Sequence, residues 1–273
     1  MLFARLPRGR ADQDHGPGLR LQDLPGLFRA LRAHSGIVTE PVPVIAIDGP
    51  SASGKGTVAS RVARALGWHY LDSGALYRLV ALAARRAAVG LEDEAGLAAL
   101  ATDLAAEFAG NEVFLDRREV GRELRGEDIS AAASRLAAIG AVRCALLDRQ
   151  RAFRRPPGLV AEGRDMGSVV FPDARTKVFL VASPESRACR RHKQLMEKGL
   201  PANMDDLLQE LRERDARDAA RVHAPLRKCS DAVLLDTTEM TIEDAVAFVL
   251  TLAKGNQPRS TAEGGAGPQA GAA

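Results

Sequence analysis

Five short apolar runs, VIAID, WHYLD, LVAEG, KVFLVA and AVLLDT, recur along the chain with amphipathic helical patterns between them. Runs this brief and this apolar fit strands buried on both faces. Their alternation with helices points to an α/β fold built on a parallel sheet, because parallel neighbours need a long crossover. The patterning predicts helices opening at Lys55, Ala75, Glu185 and Ile242. Two segments interrupt the alternation. Residues 76–143 read as Ala-rich helix with a small hairpin around VFLDRREVGREL, and residues 187–222 as helix dense in arginine.

The two ends differ from this middle. Residues 1–40 hold many arginines, scattered Gly and Pro, and one amphipathic piece, LPGLFRALRAH. They read as a disordered extension, a transit-like peptide, a partner-binding helix or a start-site artefact, since Val38 heads VTEPVPVIAIDG and valine codons can start bacterial chains. The globular part is expected over 41–253. The remainder, 254–273, has no apolar periodicity and is expected to be disordered.

A chain of 273 residues, 46% of them hydrophobic, can bury one sizeable core. Net charge is only +3, yet the cations are overwhelmingly arginine, whose planar fork suits phosphate and carboxylate. A compositional bias would raise the total equally, so only clustered arginines carry weight. Cys144, Cys189 and Cys229 are far apart and lack metal-ligand spacing, which argues against a disulfide framework or a zinc site. No apolar run approaches the ~20 residues that span a bilayer, so a soluble, cytoplasmic protein is expected.

GPSASGKGT, Gly49 to Thr57, follows the first run and opens the first helix. It satisfies G-x-x-x-x-G-K in the strand–loop–helix context that gives the pattern its mechanism. Gly49, Pro50, Ser51, Ala52, Ser53 and Gly54 form a loop whose backbone N–H groups can face an anion at a helix N-terminus, with Lys55 reaching the β and γ phosphates. Gly56 stands where nucleotide hydrolases usually place Ser or Thr, and the hydroxyl moves on to Thr57. The chain holds no Asn-Lys-x-Asp guanine-reading signature.

Polar residues crowd two further strand ends. LDSGALYR, Asp72 to Arg78, follows the second run; VAEGRDMGSVVFPDA sets Glu162, Arg164 and Asp165 after the third. Ligands of doubly wound sheets bind beyond the C-terminal strand ends. Taken alone, LDSGALYR reads as an N-cap, Ser73, with Arg78 on a solvated face. RERDARDAAR spaces Arg214, Arg217 and Arg221 at i, i+3 and i+7 with Asp218 beside them, on one side of a helix. That run is either a solvated face or the business side of a mobile lid.

IAIDGPSASGKGT, LDSGALYR, EGRDMGSVVFPDA, RRHKQLMEKG and RERDARDAARVHAPL, in this order, resemble the bacterial cytidylate kinases, from about Val44 to about Val249. The resemblance implies a P-loop nucleoside triphosphate hydrolase-like fold with a five-stranded parallel sheet flanked by helices, an acceptor-binding insertion over 76–143 and a helical lid over 187–222. It implies phosphoryl transfer from ATP with Mg²⁺ to CMP or dCMP, by a monomer that engages neither nucleic acid nor membrane. By the same resemblance Thr57, or Ser53 through the loop, would lie near Mg²⁺. Ser73, Tyr77 and Arg78 would meet the acceptor nucleotide, and Ser134, Arg143 and Asp165 the cytosine or its sugar. Arg214, Asp218 and Arg221 would grip ribose and phosphate, Arg164 would face the acceptor phosphate, and Arg187 and Arg191 would belong to the donor side of the lid. Lys55, Arg164 and Arg221 would be the catalytic cations. The chain departs from the family at Ala216 and Ala219, where further arginines are common, and in residues 1–40.

The chemistry agrees with that implication. A phosphomonoester is largely dianionic near neutral pH and attacks without a general base, so the requirement is positioning and charge screening. Cytosine offers a 4-amino donor and acceptors at N3 and O2. Asp165 can accept from the first, while Arg143 and Ser134 can donate to the others. Without the resemblance, Ser134 reads as a small packed residue and Arg143 as an exposed charge. Kinases for UMP, AMP or shikimate and a regulatory P-loop ATP-binding module are the competing readings.

Overall fold

The computed structural model describes residues 41–109, 112–197, 199 and 201–255. The expectations for residues 1–40 and for the tail beyond Gly255 lie outside them, while Lys254 and Gly255, expected in the disordered tail, belong to the last helix. Contacts divide the chain between Pro41 and Val42, and every described strand and helix belongs to the unit that begins at Val42.

Five strands, β1 (Val44–Asp48), β2 (His69–Asp72), β6 (Leu159–Gly163), β7 (Thr176–Val181) and β8 (Val233–Asp236), pair in parallel in the order β2-β6-β1-β7-β8. Every residue of central β1 is buried. Its alternation sorts side chains into two cores: Val44 and Ala46 join one cluster, Ile45 and Ile47 the other. Helix α1 (Lys55–Leu66) sends Val58 and Val62 into the second cluster, as the last helix, α8 (Ile242–Gly255), sends Val249. Helix α2 (Ser73–Arg86) sends Leu76, Leu79 and Leu82 into the first. The two edge strands are less covered; Leu234 of β8 is 55% exposed.

The helix openings shift slightly from the sequence expectation because of capping. Asp72 accepts from the Ala75 N–H, so α2 begins at Ser73 rather than Ala75. Ser183 caps α6 (Pro184–Met196), and the proline sits in its first turn, where no N–H is required. Asp72, not Ser73, is therefore the N-cap of α2.

The first interruption holds α3 (Glu94–Thr102), α4 (Glu127–Leu136) and α5 (Gly140–Arg151), with a separate antiparallel sheet of β3 (Ala106–Ala109), β4 (Glu112–Leu115) and β5 (Arg118–Glu119). The expected hairpin is β4–β5, and Ala106–Ala109 adds a third strand to it. The second holds α6 and α7 (Met204–Ala219), linked by Arg187 to Asp215 at 2.6 Å. Among the described residues no single helix is long and apolar enough to cross a membrane.

Candidate active site

The register lines up three chain segments at one sheet edge. Asp48 pairs with Gly163 and Asp72 with Glu162, so the loops leaving β1, β2 and β6 share a rim. A cleft of about 280 Å³ opens above it. Lys55, Arg78, Arg143, Arg164, Arg191, Arg214 and Arg221 line this cleft against fewer carboxylates, which makes it a place for a polyanion.

The phosphate loop forms the floor. Gly54 takes φ 93°, a left-handed conformation open to glycine, and turns the chain into α1. Lys55 is buried; its Nζ donates to the Pro50 carbonyl at 3.2 Å and lies 3.7 Å from Glu162 Oε2. Burial first, then Arg164, lowers Lys55 to about 8, with Glu162 opposing. Ser53 is buried and donates to Pro50 O at 3.0 Å. Ser51 and Ala52 line the cleft, whereas Gly49, Pro50, Gly56 and Thr57 do not, and Thr57 is exposed. A Cβ on Gly56 would stand 2.9 Å from Glu162 Oε1, which the Tyr70 hydroxyl already holds at 3.3 Å. Any side chain at position 56 would have to move that carboxylate.

The wall facing the loop is assembled from distant segments. Arg78 donates to Asp72 at 2.7 Å and lines the cleft beside Ser73 and Tyr77, so the solvated-face alternative for Arg78 does not hold. Arg143 of α5 bonds Asp165, and its Nη1 reaches Ala137 O at 3.1 Å, which places it inside rather than on an exposed helical face. Ser134 is buried at the cleft, and its Oγ has no hydrogen-bond partner among the described residues. Burial raises the Asp165 carboxyl, while Arg143 and Arg221 pull against it.

Asp218 is fully buried and ties two arginines together: Arg164 Nε donates to it at 2.7 Å, and Arg221 bonds its other oxygen. Burial alone would raise this carboxyl, but Arg164 and Arg221 hold it below the usual aspartate value. Arg214 projects from α7 with its Nε unpartnered among the described residues, and burial followed by Arg164 lowers it to about 10. The helix stops at Ala219, so Arg221 follows the helix end rather than continuing its face, and Arg217 is exposed. The expected shared face of Arg214, Arg217 and Arg221 is corrected in that respect. Asp218 and Arg221 meet because the chain turns at Ala220.

The lid arginines separate. Arg187 is buried, donates to Ser51 O at 3.3 Å and so touches the phosphate loop. Arg191 bonds Glu127 of α4 and lines the same cleft as Lys55. Asp48 and Arg190 escape the sequence reading, and Glu162, expected in the loop after the third strand, lies within β6 itself. Glu162 sits beside Lys55; Asp48 accepts from Met166 and Gly167; Arg190 donates to Ser53 O at 3.0 Å. Glu162 and Asp48 both end strands that enter this rim, a signal present in VIAID and LVAEG.

A glycine loop leaving the central strand of a parallel sheet, with its lysine under an arginine-lined cleft, defines a P-loop phosphotransferase. A family model described as cytidylate kinase matches residues 45–255, and the chain belongs to the cytidylate kinase family. The cytidylate kinase of Bordetella pertussis is 60% identical over 208 residues, 76% of this chain and 93% of that protein. That of Chromobacterium violaceum is 58% identical over 209 residues, 77% and 94% respectively. A solved gluconokinase from Sinorhizobium meliloti 1021 aligns with a TM-score of 0.40 at 17% identity, covering 79% of this chain and 94% of its own.

Proposed function

We propose that this chain transfers the γ-phosphoryl group of ATP to CMP or dCMP, giving CDP or dCDP and ADP, in pyrimidine nucleotide metabolism. One observation carries the reading: a single cleft holds the phosphate-loop lysine together with Arg143, Asp165 and the unpartnered Ser134 hydroxyl. An acceptor phosphate oxygen attacks the γ-phosphorus as the bond to the β-phosphate's bridging oxygen breaks, and no side chain need remove a proton. Lys55 and the loop N–H groups take the donor phosphates; Arg187 steadies the loop and Arg191 closes the rim. Arg164, Arg78, Arg214 and Arg221 meet the acceptor phosphate and ribose, with Asp218 aligning two of them. Asp165 accepts from the cytosine amino group while Arg143 and Ser134 donate to the ring. Ser73 and Tyr77 shape the acceptor wall.

No group of three or more His, Cys, Asp or Glu among the described residues suits a metal. Mg²⁺ would therefore be carried in on phosphate oxygens, with Thr57, or Ser53 once its Oγ releases Pro50 O, as the chain's hydroxyl donor; neither lines the cleft as it stands. Bound there, Mg²⁺ would screen charge on the transferring group. A monomer in the cytoplasm, with nucleotides rather than nucleic acid or membrane as its partners, completes the reading.

An acceptor panel with ATP and Mg²⁺ tests it. CMP and dCMP should exceed UMP and AMP in kcat/KM by at least about tenfold, since a wrong base strands buried polar groups. Equal values for CMP and UMP would overturn the base assignment.

A further inference from the structure

Asp48 closes β1 immediately before the phosphate loop, yet both its oxygens point at a different segment. Oδ1 accepts the Met166 N–H and Oδ2 the Gly167 N–H, each at 2.8 Å, and the residue is only 6% exposed. Met166 and Gly167 follow Arg164 and Asp165 directly and open the short π-helical turn Met166–Val170, whose first N–H groups have no partner within it. The approach is close: a Cβ on Gly167 would lie 3.4 Å from Asp48 Oδ2 and 3.2 Å from Lys177 Cδ.

We infer that Asp48 is a positioning residue: its carboxylate pins the turn that presents Arg164 and Asp165 to the root of the phosphate loop, and so sets how CMP is held relative to the donor. The inference rests on the CMP reading above and names a residue that reading does not use. A carboxylate offers two acceptors to two N–H groups, whereas an amide offers one acceptor and turns a donor on the other N–H. Asp48→Asn therefore keeps size and burial but opposes one of the two bonds. Freed at that point, the turn would carry both an acceptor-phosphate arginine and a base-reading carboxylate out of register.

The same clamp is sensitive to protons. Burial raises Asp48 to about 7, the two backbone N–H groups and Arg164 resist, and Asp165 adds to the rise. Lys177 of β7 packs against Gly167 on the same side as Asp48, and Asp48 is among the charges raising Cys229 ahead of β8. Protonation converts one acceptor into an O–H, which resembles the amide substitution.

The test uses the full chain and Asp48→Asn, with steady-state kinetics and with calorimetric titration of CMP alone. KM for CMP should rise about tenfold and the preference for CMP over UMP should shrink, while KM for ATP stays within about twofold. Wild-type kcat/KM for CMP should lose activity as pH falls through about 7, a limb missing from KM for ATP. The variant should keep only the limb of the substrate phosphate near ~6. Unchanged CMP affinity, or equal rises in both KM values, would overturn the inference. If the variant does not fold, Asp48→Glu, which keeps both acceptors on a longer arm, takes its place: an unchanged KM for CMP overturns the inference. Failure of the wild type to bind or phosphorylate CMP would instead overturn the acceptor reading, and this inference with it.

Discussion

The two halves of the cleft are built in different ways. The donor floor is one contiguous stretch, Gly49 to Thr57, shaped by its own backbone between β1 and α1. The acceptor wall is gathered from α2, α4, α5, the loop after β6 and the end of α7, and it is held by ion pairs that join residues far apart in sequence. Arg143 meets Asp165 and Arg164 meets Asp218 across 54 positions. A backbone site should lose function when its one chemical group is removed but keep its shape. A charge network should lose shape when any node is removed, because each buried carboxylate left without its arginine, or the reverse, is an uncompensated charge.

The largest effect expected is Lys55→Met. On the proposed function the lysine is the floor's own cation for the transferring group, and one such electrostatic contact is worth about 10²–10³ in kcat. Its removal should leave CMP affinity near wild type and lower the melting temperature less than a change at Asp218 does, since Glu162, buried 3.7 Å away, loses its ammonium partner but can take up a proton. Stopped assays for kcat, with calorimetry for CMP, check both halves. A variant as fast as wild type would break the comparison at its donor end.

Asp218→Asn probes the other half, and stability is the readout that matters. Breaking a buried carboxylate's pairing costs about 3–5 kcal/mol, so urea unfolding at neutral pH should show a loss of that order, with CMP binding weakened at the same time. The pH dependence has a definite sign. The folded carboxyl is held below its ordinary value of 3.8 by Arg164 and Arg221, against burial. Its contribution is full above that unfolded value and is lost as pH falls through the lower folded one. The gap between wild type and variant should persist at pH 5 and narrow only below 3.8. A gap that closes between pH 7 and 5 would contradict the lowered carboxyl.

This contrast explains what can be read without a structure. Strands β1, β2, β6, β7 and β8 announce themselves as short apolar runs because both sheet faces are covered, and the loop announces itself because a backbone cradle needs glycines at set positions. The wall has no such local signature. Ser134 in an Ala-rich helix and Arg143 on the next look like packing and surface charge until the fold brings Asp165 against them, so only the family resemblance picks them out. Spacing alone puts Arg221 on a helical face, yet the chain leaves the helix after Ala219, and a tertiary pairing with Asp218 decides its position. Capping chemistry shifts the openings of α2 and α6 by a residue or two, since Asp72 and Ser183 accept from the first turns. Glu162 and Asp48 are visible as polar ends to apolar strands, but a strand-end carboxylate does not disclose which N–H or ammonium it will face.

The smallest effect sharpens the boundary between the halves. Gly56 lies in the donor stretch but faces Glu162 from β6, the point where floor and wall touch. Gly56→Ser would restore the hydroxyl that many phosphate loops carry there. If position 56 lacks it for want of space, then Gly56→Ser and Gly56→Ala should fall alike, by several-fold and at most about tenfold in kcat, as overpacking displaces Glu162 from Lys55. Tyr70→Phe should partly rescue both, because the hydroxyl that pins Glu162 Oε1 is gone and the carboxylate can swing clear. If the serine variant alone keeps full activity, its hydroxyl is serving the phosphates directly, and the displaced Thr57 is a matter of chemistry rather than room. The alanine variant separates the two explanations, since it adds the Cβ without the oxygen.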